Sequence, residues 1–104
     1  MPVTIAENVN EHIDNNERDK VNQFNDNPGY GGQQITVKIG GKKLTVAHVT
    51  FGKGTHHVSV FYRRESDEFQ ILGVGQHAGK KEGKTLYNAL WDGNDSRRVA
   101  VLVQ

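Results

Sequence analysis

The sequence predicts an α+β fold, with an N-terminal helix (or two) packed on one face of a 4–5 stranded, mainly antiparallel, twisted sheet. Residues 1–34 contain an apolar stripe at helical spacing, whereas residues 35–103 alternate apolar with polar side chains between glycine-containing turns. A chain of 104 residues has room for one hydrophobic core, so residues 1–104 are expected to form a single domain.

The N-terminal segment from Thr4 to about Asn25 predicts helix. Its apolar residues recur at spacings near 3.6, and Thr4 with Glu7 resembles a capping box. Asn15 and Asn16 are poor helix formers and are expected to divide the segment into two helices. The proline and glycines of residues 27–32 end it. The stripe comprises Ile5, Val9, Ile13, Val21 and Phe24.

The first predicted hairpin joins residues 35–39 to residues 44–51 through Gly40-Gly41. In the second of these segments the apolar phase shifts by one residue, from Leu44 and Val46 to Val49 and Phe51. This shift predicts a β-bulge near Ala47 and His48. Gly52-Lys53-Gly54 predicts the next turn.

The second predicted hairpin runs from residues 58–64, through a charged turn at residues 65–68, to an apolar strand at residues 69–74. The polar stretch from Ala78 to Lys84 predicts a loop. Leu86, Ala89 and Leu90 suit a short helix or a last turn, residues 92–95 predict a turn, and Val99, Val101 and Val103 predict a closing strand.

Composition limits the classes of function. The chain has no cysteine, which excludes disulfides and a thiolate zinc site. Its longest apolar runs fall short of the roughly 20 residues of a membrane span, so no membrane partner is expected. The acidic, polar start is unlike a secretion signal, so the expected location is cytoplasmic. Delivery into another cell as part of a larger protein stays open.

Charge is divided unevenly along the chain. Residues 1–34 carry six acidic and two basic side chains, whereas residues 35–104 carry six acidic and eleven basic ones. The basic part is the predicted sheet. A polyanion partner such as RNA would bind such a surface, and an ordinary solvated sheet face would have the same composition.

His77 is the first candidate for catalysis, because histidine titrates near neutral pH. It follows a predicted apolar strand that contains Gly73 and Gly75, where another backbone or a ligand could approach closely. Three lysines follow within seven residues, so the pattern predicts a general acid or base beside a cationic phosphate site. A solvent-exposed histidine at a strand end is the alternative. The lysines are Lys80, Lys81 and Lys84.

Arg63 and Arg64 are candidate phosphate-binding residues on the preceding strand, because arginine grips phosphate bidentately. Neighbours on a strand point to opposite faces, so only one can serve a site on either face. His48, at the expected bulge, and Tyr87, after the lysine-rich loop, are further catalytic candidates. Charged residues at a hairpin end and a histidine on a sheet face are the structural alternatives.

No metal or cofactor is predicted. The adjacent His56 and His57 would point to opposite faces of a strand and are expected to be surface residues. The segment GVGQHAG is one residue too long for a dinucleotide fingerprint and lacks the acidic residue that should follow.

The segment VSVFYRRESDEFQILGVGQHAG resembles the central hairpin of RelE/ParE-type toxins, part of a wider group that includes barnase-like and colicin-type nucleases. Residues 60–63 match the arginine-bearing strand, and residues 71–77 match the strand that ends in histidine.

The resemblance implies metal-independent RNA cleavage, in which the ribose 2′-OH attacks the adjacent phosphate. Arg63 would stabilise the charge on phosphorus, His77 would act as acid or base, and Lys80 and Lys81 would hold phosphates. The expected partners are RNA (tRNA, mRNA or rRNA) and a neutralising antitoxin or immunity protein. The alternative is a non-catalytic module that binds RNA or protein, including a ParE-like topoisomerase inhibitor.

Overall fold

A computed structural model describes residues 2–52 and 57–104. Strands predominate, and the two helices lie near the N-terminus. In chain order the elements are β1 (Val3–Ile5), α1 (Glu7–His12), α2 (Asn15–Asp26), β2 (Gln33–Ile39), β3 (Lys42–Phe51), β4 (Val58–Glu65), β5 (Glu68–Lys81), β6 (Lys84–Trp91) and β7 (Arg98–Val103).

Strands β2 to β7 form a closed antiparallel barrel. Each strand pairs with the next in sequence, and β7 returns to pair with β2 through Val37–Val103 and Lys38–Leu102. The predicted open sheet of four or five strands is therefore wrong, because β6 and β7 continue the sheet until it meets its own first strand. A closed ring gives every strand two hydrogen-bonded neighbours over part of its length.

The short strand β1 lies outside this ring and pairs in parallel with the start of β5, at residues 69–71. Strand β6 pairs antiparallel with the later part of β5, from Gly73 to Lys81. The amide N–H of Asp92, just after β6, donates to the carbonyl of Leu72 at 2.8 Å, where the two partners meet. The 14-residue strand β5 is thus the longest in the sheet and carries three neighbours.

The barrel interior is narrow, and glycines on β5 leave room there for the side chains of β6. Gly73 and Gly75 face large and small side chains of β6: a Cβ on Gly73 would lie 2.3 Å from the Trp91 ring, and one on Gly75 would lie 2.5 Å from the Ala89 Cβ. Barrels with about eight strands are just filled by ordinary side chains, so six strands leave less room. The space that these glycines leave is taken by Trp91 and Ala89, not by a ligand.

A second apolar core lies between the helices and the outer surface of the barrel. Val9, Val21 and Phe24 from the helices pack against Val60 and Tyr62 and their neighbours on β3 to β5. These strands are therefore buried on both faces. The fully or nearly buried residues of the interior core are Val37, Val46, Phe61, Tyr87, Ala89, Trp91 and Val101.

Burial on both faces explains the apolar phase shift in β3. Leu44 and Val46 face the barrel interior, whereas Val49 and Phe51 face the helix-covered surface. Pairing of β3 with β2 and β4 passes through Ala47 and His48 without a break, so the predicted bulge there is wrong. The irregularities lie on β4–β5 at residues 61–62 and on β5–β6 at residues 77–79.

The N-terminal helical segment forms two helices, as predicted, but the break between them lies at a different place. The break falls at Ile13 and Asp14, and Asp14 caps α2 in a reciprocal capping box with Glu17. Thr4 lies in β1 and does not cap a helix, since Ala6 precedes α1 without a side-chain cap. In the described ranges, no helix is long and apolar enough to cross a membrane.

A buried ion pair fastens α2 to the barrel. The Glu17 carboxylate, with no exposed surface, accepts two hydrogen bonds from the Arg98 guanidinium at 2.6 and 2.8 Å. The hydrogen bond with Glu17, reinforced by its charge, raises the pKa of Arg98. Glu17 also accepts from the Asp14 amide, so one carboxylate serves both the helix cap and the helix–barrel contact.

Two predicted non-strand segments are strands. Residues 78–81 continue β5, and residues 84–91 form β6, so the predicted loop and short helix are wrong. Glu82 and Gly83 have φ values of 55° and 76°, which indicates a tight hairpin turn with both central residues left-handed. The hairpin at Gly40-Gly41, the turn at residues 65–68 and the closing strand are where the sequence predicts them.

Replacing Gly75 with alanine should lower the free energy of unfolding by about 1–3 kcal/mol, because the new Cβ overlaps the backbone and side chain of Ala89. Chemical denaturation monitored by circular dichroism would measure this loss. Gly41→Ala is the matched control, since a Cβ there meets no atom within 4 Å. Equal stability of the two variants would contradict the narrow interior.

Removing Arg98 should leave the buried Glu17 carboxylate without its charged partner. We expect Arg98→Met to cost about 3 kcal/mol of unfolding free energy, the lower end for a buried pair because the Arg98 side chain is 28% exposed. The double variant Glu17→Gln/Arg98→Met should recover part of that loss, since no unpaired charge remains. Arg97→Met, at the exposed neighbour, should change little, and an equal effect at both arginines would contradict this account.

Candidate functional site

One end of the barrel gathers polar and aromatic side chains from four neighbouring strands or their ends. We call this group the histidine end and define it as His48, His57, His77 and Tyr87. His48 comes from β3, His57 immediately precedes β4, and His77 and Tyr87 are paired residues of β5 and β6. All three histidines are half-buried.

Ring contacts connect the group through Phe61. The centroids of His57 and His77 are 5.5 Å apart, and those of His77 and Tyr87 are 5.8 Å apart. Tyr87 meets Phe61 edge-on at 5.5 Å, and Phe61 lies 5.9 Å from His48. His57 and His77 are thus direct neighbours, whereas the buried Phe61 ring stands between Tyr87 and His48.

A β-bulge sets the position of His77. Pairing of β5 with β6 shifts between His77 and Gly79, where Gly79 has a φ of 105° that other residues rarely adopt. The His77 amide N–H donates to the His57 carbonyl at 3.1 Å, which fixes the two histidines relative to each other. Bulges commonly occur beside active sites, where they re-aim a side chain.

Lys80 lies on the same face as the histidine end. Lys80 pairs with Thr85, and Thr85 is two residues from Tyr87 on β6, so the two share a face. Lys81 and Lys84 pair with each other beside the hairpin turn and belong to the opposite face. Lys84 donates to the Gln104 side chain at 3.2 Å. Of the three predicted phosphate-binding lysines, one therefore shares a face with His77.

A hydroxyl pair lies close to the histidines. The Ser59 and Thr50 hydroxyl groups lie 2.8 Å apart, and Ser59 has no exposed surface. Ser59 follows His57 by two residues on the same face of β4. The hydrogen bond satisfies a polar group that would otherwise be buried without a partner.

His48 is held in its neutral form by its surroundings. Burial lowers the pKa of its imidazole, since a charged ring would lose hydration there. Its Nδ1 atom is buried and, in the described part of the chain, has no hydrogen-bond partner. At neutral pH the ring can accept or donate a hydrogen bond without carrying charge.

The two arginines lie far from His77 along the sheet. Arg63 pairs with Gln70 and Arg64 with Phe69, at the opposite end of the β4–β5 hairpin. Gln70 and His77 are seven residues apart, which corresponds to about 23 Å at 3.3 Å per residue. Arg63 is 3.7 Å from Glu65, and the Arg64 guanidinium lies over the Phe69 ring. The predicted convergence of Arg63 with His77 does not occur.

His57 is the residue that sequence reasoning left out of the site. Its spacing from Ser59 and Phe61 indicates a common strand face, but the glycines before it predict a surface turn. His56 lies outside the described residues. The predicted turn at residues 52–54 lies partly outside them, since only Gly52 is described. Within residues 2–52 and 57–104, no three histidine or carboxylate side chains are arranged to hold a metal ion.

Comparisons with models of protein families, with curated proteins and with solved structures found no match. The resemblance of the central hairpin to RelE/ParE-type toxins therefore stays a prediction, which rests on the residues of that hairpin.

His48 should make the protein less stable in mild acid. Because burial lowers its folded-state pKa below the unfolded value near 6.5, the unfolded state binds the proton more readily. The penalty is absent well above pH 6.5 and grows as the pH falls through that value towards the folded pKa. Thermal unfolding of His48→Asn between pH 7.5 and 5 should show a smaller loss than wild type.

The control is His12→Asn, because His12 is exposed on α1 and this variant keeps the buried His48. If His48→Asn lost stability on acidification as steeply as the wild-type protein, another group would be responsible.

Proposed function

We propose that the histidine end of the barrel cleaves RNA without a metal ion. The observation that carries the proposal is the close approach of His57 and His77, with ring centroids 5.5 Å apart and Lys80 on the same face. A general acid or base must come within about 3 Å of the oxygen whose proton it moves. Two imidazoles at this separation can each reach an oxygen of one phosphodiester.

The reaction needs two proton transfers. One imidazole accepts the proton of the ribose 2′-OH as that oxygen attacks the adjacent phosphorus. The other donates a proton to the 5′-oxygen as its bond to phosphorus breaks. The products are a 2′,3′-cyclic phosphate and a 5′-OH end, and the pair of histidines as a whole neither gains nor loses a proton.

The neighbouring residues support these roles. Lys80 supplies a positive charge for the phosphate oxygens, on which negative charge increases in the transition state. Tyr87 packs edge-on against His77 at 5.8 Å and restricts the orientation of its ring. The Phe61 ring lies between His48 and Tyr87, so His48 does not reach the same phosphate.

A non-catalytic RNA-binding module is the second candidate, and the arrangement of the arginines favours it. Arg63 and Arg64 are separated from the histidines by about 23 Å of strand, so they cannot stabilise charge at the same phosphate. Basic side chains spread over a closed barrel would bind an RNA backbone through several phosphates. A protein-directed inhibitor that blocks a topoisomerase is the remaining form of this alternative.

As a ribonuclease, the protein would act where RNA is abundant, in the cytoplasm of the producing cell or of a cell that receives it. The producing cell would then need a neutralising antitoxin or immunity protein. An acidic partner would complement the excess of eleven basic over six acidic side chains in residues 35–104.

The proposal predicts that His77→Ala and His57→Ala each slow RNA cleavage at least 100-fold, the usual contribution of a positioned acid or base. Purified protein would be incubated with a labelled RNA oligonucleotide and with tRNA, and mass spectrometry would identify the cyclic phosphate. His12→Ala, an exposed histidine on α1, is the control and should cleave normally. Circular dichroism would confirm that each variant is folded.

Substrate and metal controls separate the outcomes. An RNA with a 2′-deoxy residue at the cleavage position should stay intact, and EDTA should not inhibit the reaction. Wild-type protein that binds RNA but leaves it whole would support the binding module. Protein that neither binds nor cleaves RNA would refute both RNA-directed functions and leave a protein target.

A further inference from the structure

A groove of about 420 Å³ lies on the outer surface of the barrel, beside the segment of β4 that carries Arg63 and Arg64. Its lining includes Tyr62, Arg64 and Phe69 from the β4–β5 hairpin, Ala47 from β3, and Pro28 from the connection between α2 and β2. Arg63 also lines it, so the groove combines two arginines with apolar and aromatic surface. Its volume is within the range of pockets that hold small organic ligands.

Arg64 is positioned to bind an anion in this groove. Its guanidinium carbon lies 5.7 Å above the centre of the Phe69 ring, which limits the conformations of the side chain. Among the ion pairs of the described residues, none involves Arg64, whereas its neighbour Arg63 is 3.7 Å from Glu65. A stacked guanidinium keeps its N–H groups free for a planar, bidentate contact with phosphate.

Tyr62 supplies a neutral donor at the same place. Burial raises the pKa of its phenol, against the weaker opposing effect of the Arg64 charge, so the hydroxyl group keeps its proton at neutral pH. The hydroxyl oxygen would lie 1.8 Å from a Cβ on Gly32, which shows how closely it approaches the loop that borders the groove. Glycine at position 32 is therefore necessary for this placement.

The aromatic residues that support the groove are fixed by one another. Tyr62 lies 4.9 Å from Phe24 of α2 and 5.7 Å from Phe69, while Phe24 and Phe69 meet edge-on at 6.1 Å. Phe24, Tyr62 and Phe69 are all at most 8% exposed. A ligand would meet a preformed surface, which lowers the entropic cost of binding.

We propose that this groove binds a phosphate monoester attached to a planar ring, the chemistry of a nucleoside monophosphate. Arg64 and the Tyr62 hydroxyl group hold the phosphate, and the ring lies on the apolar side formed by Pro28 and Ala47. A free nucleotide and the 5′-phosphorylated end of an RNA both offer this group. The site is about 23 Å of strand away from His77 and does not depend on RNA cleavage.

Isothermal titration of the full chain with AMP would test the proposal, with adenosine and inorganic phosphate as partial ligands. AMP should bind more tightly than either. Arg64→Ala should weaken AMP binding at least tenfold, which corresponds to about 1.4 kcal/mol, and Tyr62→Phe should weaken it by about two- to tenfold. Arg97→Ala removes an exposed arginine outside the groove and should leave the affinity within about twofold.

Amide chemical shifts would locate the ligand. AMP should shift the signals of Tyr62, Arg64 and Phe69 and leave those of His57 and His77 in place. Three results would each overturn the proposal. AMP and adenosine could bind equally well, Arg64→Ala and Arg97→Ala could lose AMP affinity equally, or the shifts could be confined to the histidine end. Absence of any AMP binding would do the same.

The source of the phosphate would be identified with a short 2′-O-methyl RNA that cannot be cleaved. Tighter binding of its 5′-phosphorylated form than of its 5′-OH form, lost in Arg64→Ala, supports recognition of an RNA end. Binding of AMP with neither oligonucleotide supports a free nucleotide. His77→Ala should bind AMP like the wild-type protein, so failure of the cleavage proposal and failure of the groove proposal would be seen separately.

Discussion

The closure of six strands around a narrow interior is the constraint on which the other features of this protein depend. Gly73 and Gly75 on β5 have no Cβ, and the Trp91 ring and Ala89 occupy the space opposite them on β6. This close contact brings β6 against β5 and lets β7 reach β2. Because the ring closes at this radius, Phe61 contacts both Tyr87 and Trp91 across the interior.

Closure also determines where the helices and the polar groups lie. The helices cover β3 to β5 on the outside, and Glu17 secures α2 to Arg98 at the start of β7, which lies elsewhere on the barrel wall. Apolar residues fill the middle of the interior. His48 lies against one of them, Phe61, and His57 and His77 lie against each other. The candidate site is thus a product of the way the barrel is filled.

The sequence predicts local features of this fold better than its closure. Turn chemistry at Gly40-Gly41 and at residues 65–68 correctly separates strands, because such turns depend on nearby residues alone. In β6, however, Tyr87 faces the interior and Leu86 and Leu90 face outward. When both faces of a strand are buried, apolar residues no longer alternate with polar ones. The spacing of Leu86 and Leu90 therefore predicts a helix. Pairing of β7 with β2 has no local signal.

The site was predictable in its residue types and less so in its geometry. His77 and Tyr87 prove to be cross-strand partners, and Lys80 shares their face. The sequence predicts Arg63 in the same site because one hairpin carries both Arg63 and His77, but a hairpin separates residues along its length as well as joining them. Two strands in register bring residues near the turn together, and His77 is far from that turn.

The pairing of β1 with β5 has a consequence for how the chain acquires its structure. Val3 pairs with Phe69 and Ile5 with Ile71, so this contact closes a loop of about two thirds of the chain. The contact between β2 and β7 joins Val37 to Val103, which again spans about two thirds of the chain. Folding that waits for such distant segments is slow compared with helix or hairpin formation. During synthesis, β1 therefore has no partner until β5 has left the ribosome, and the barrel cannot close before the last strand is complete.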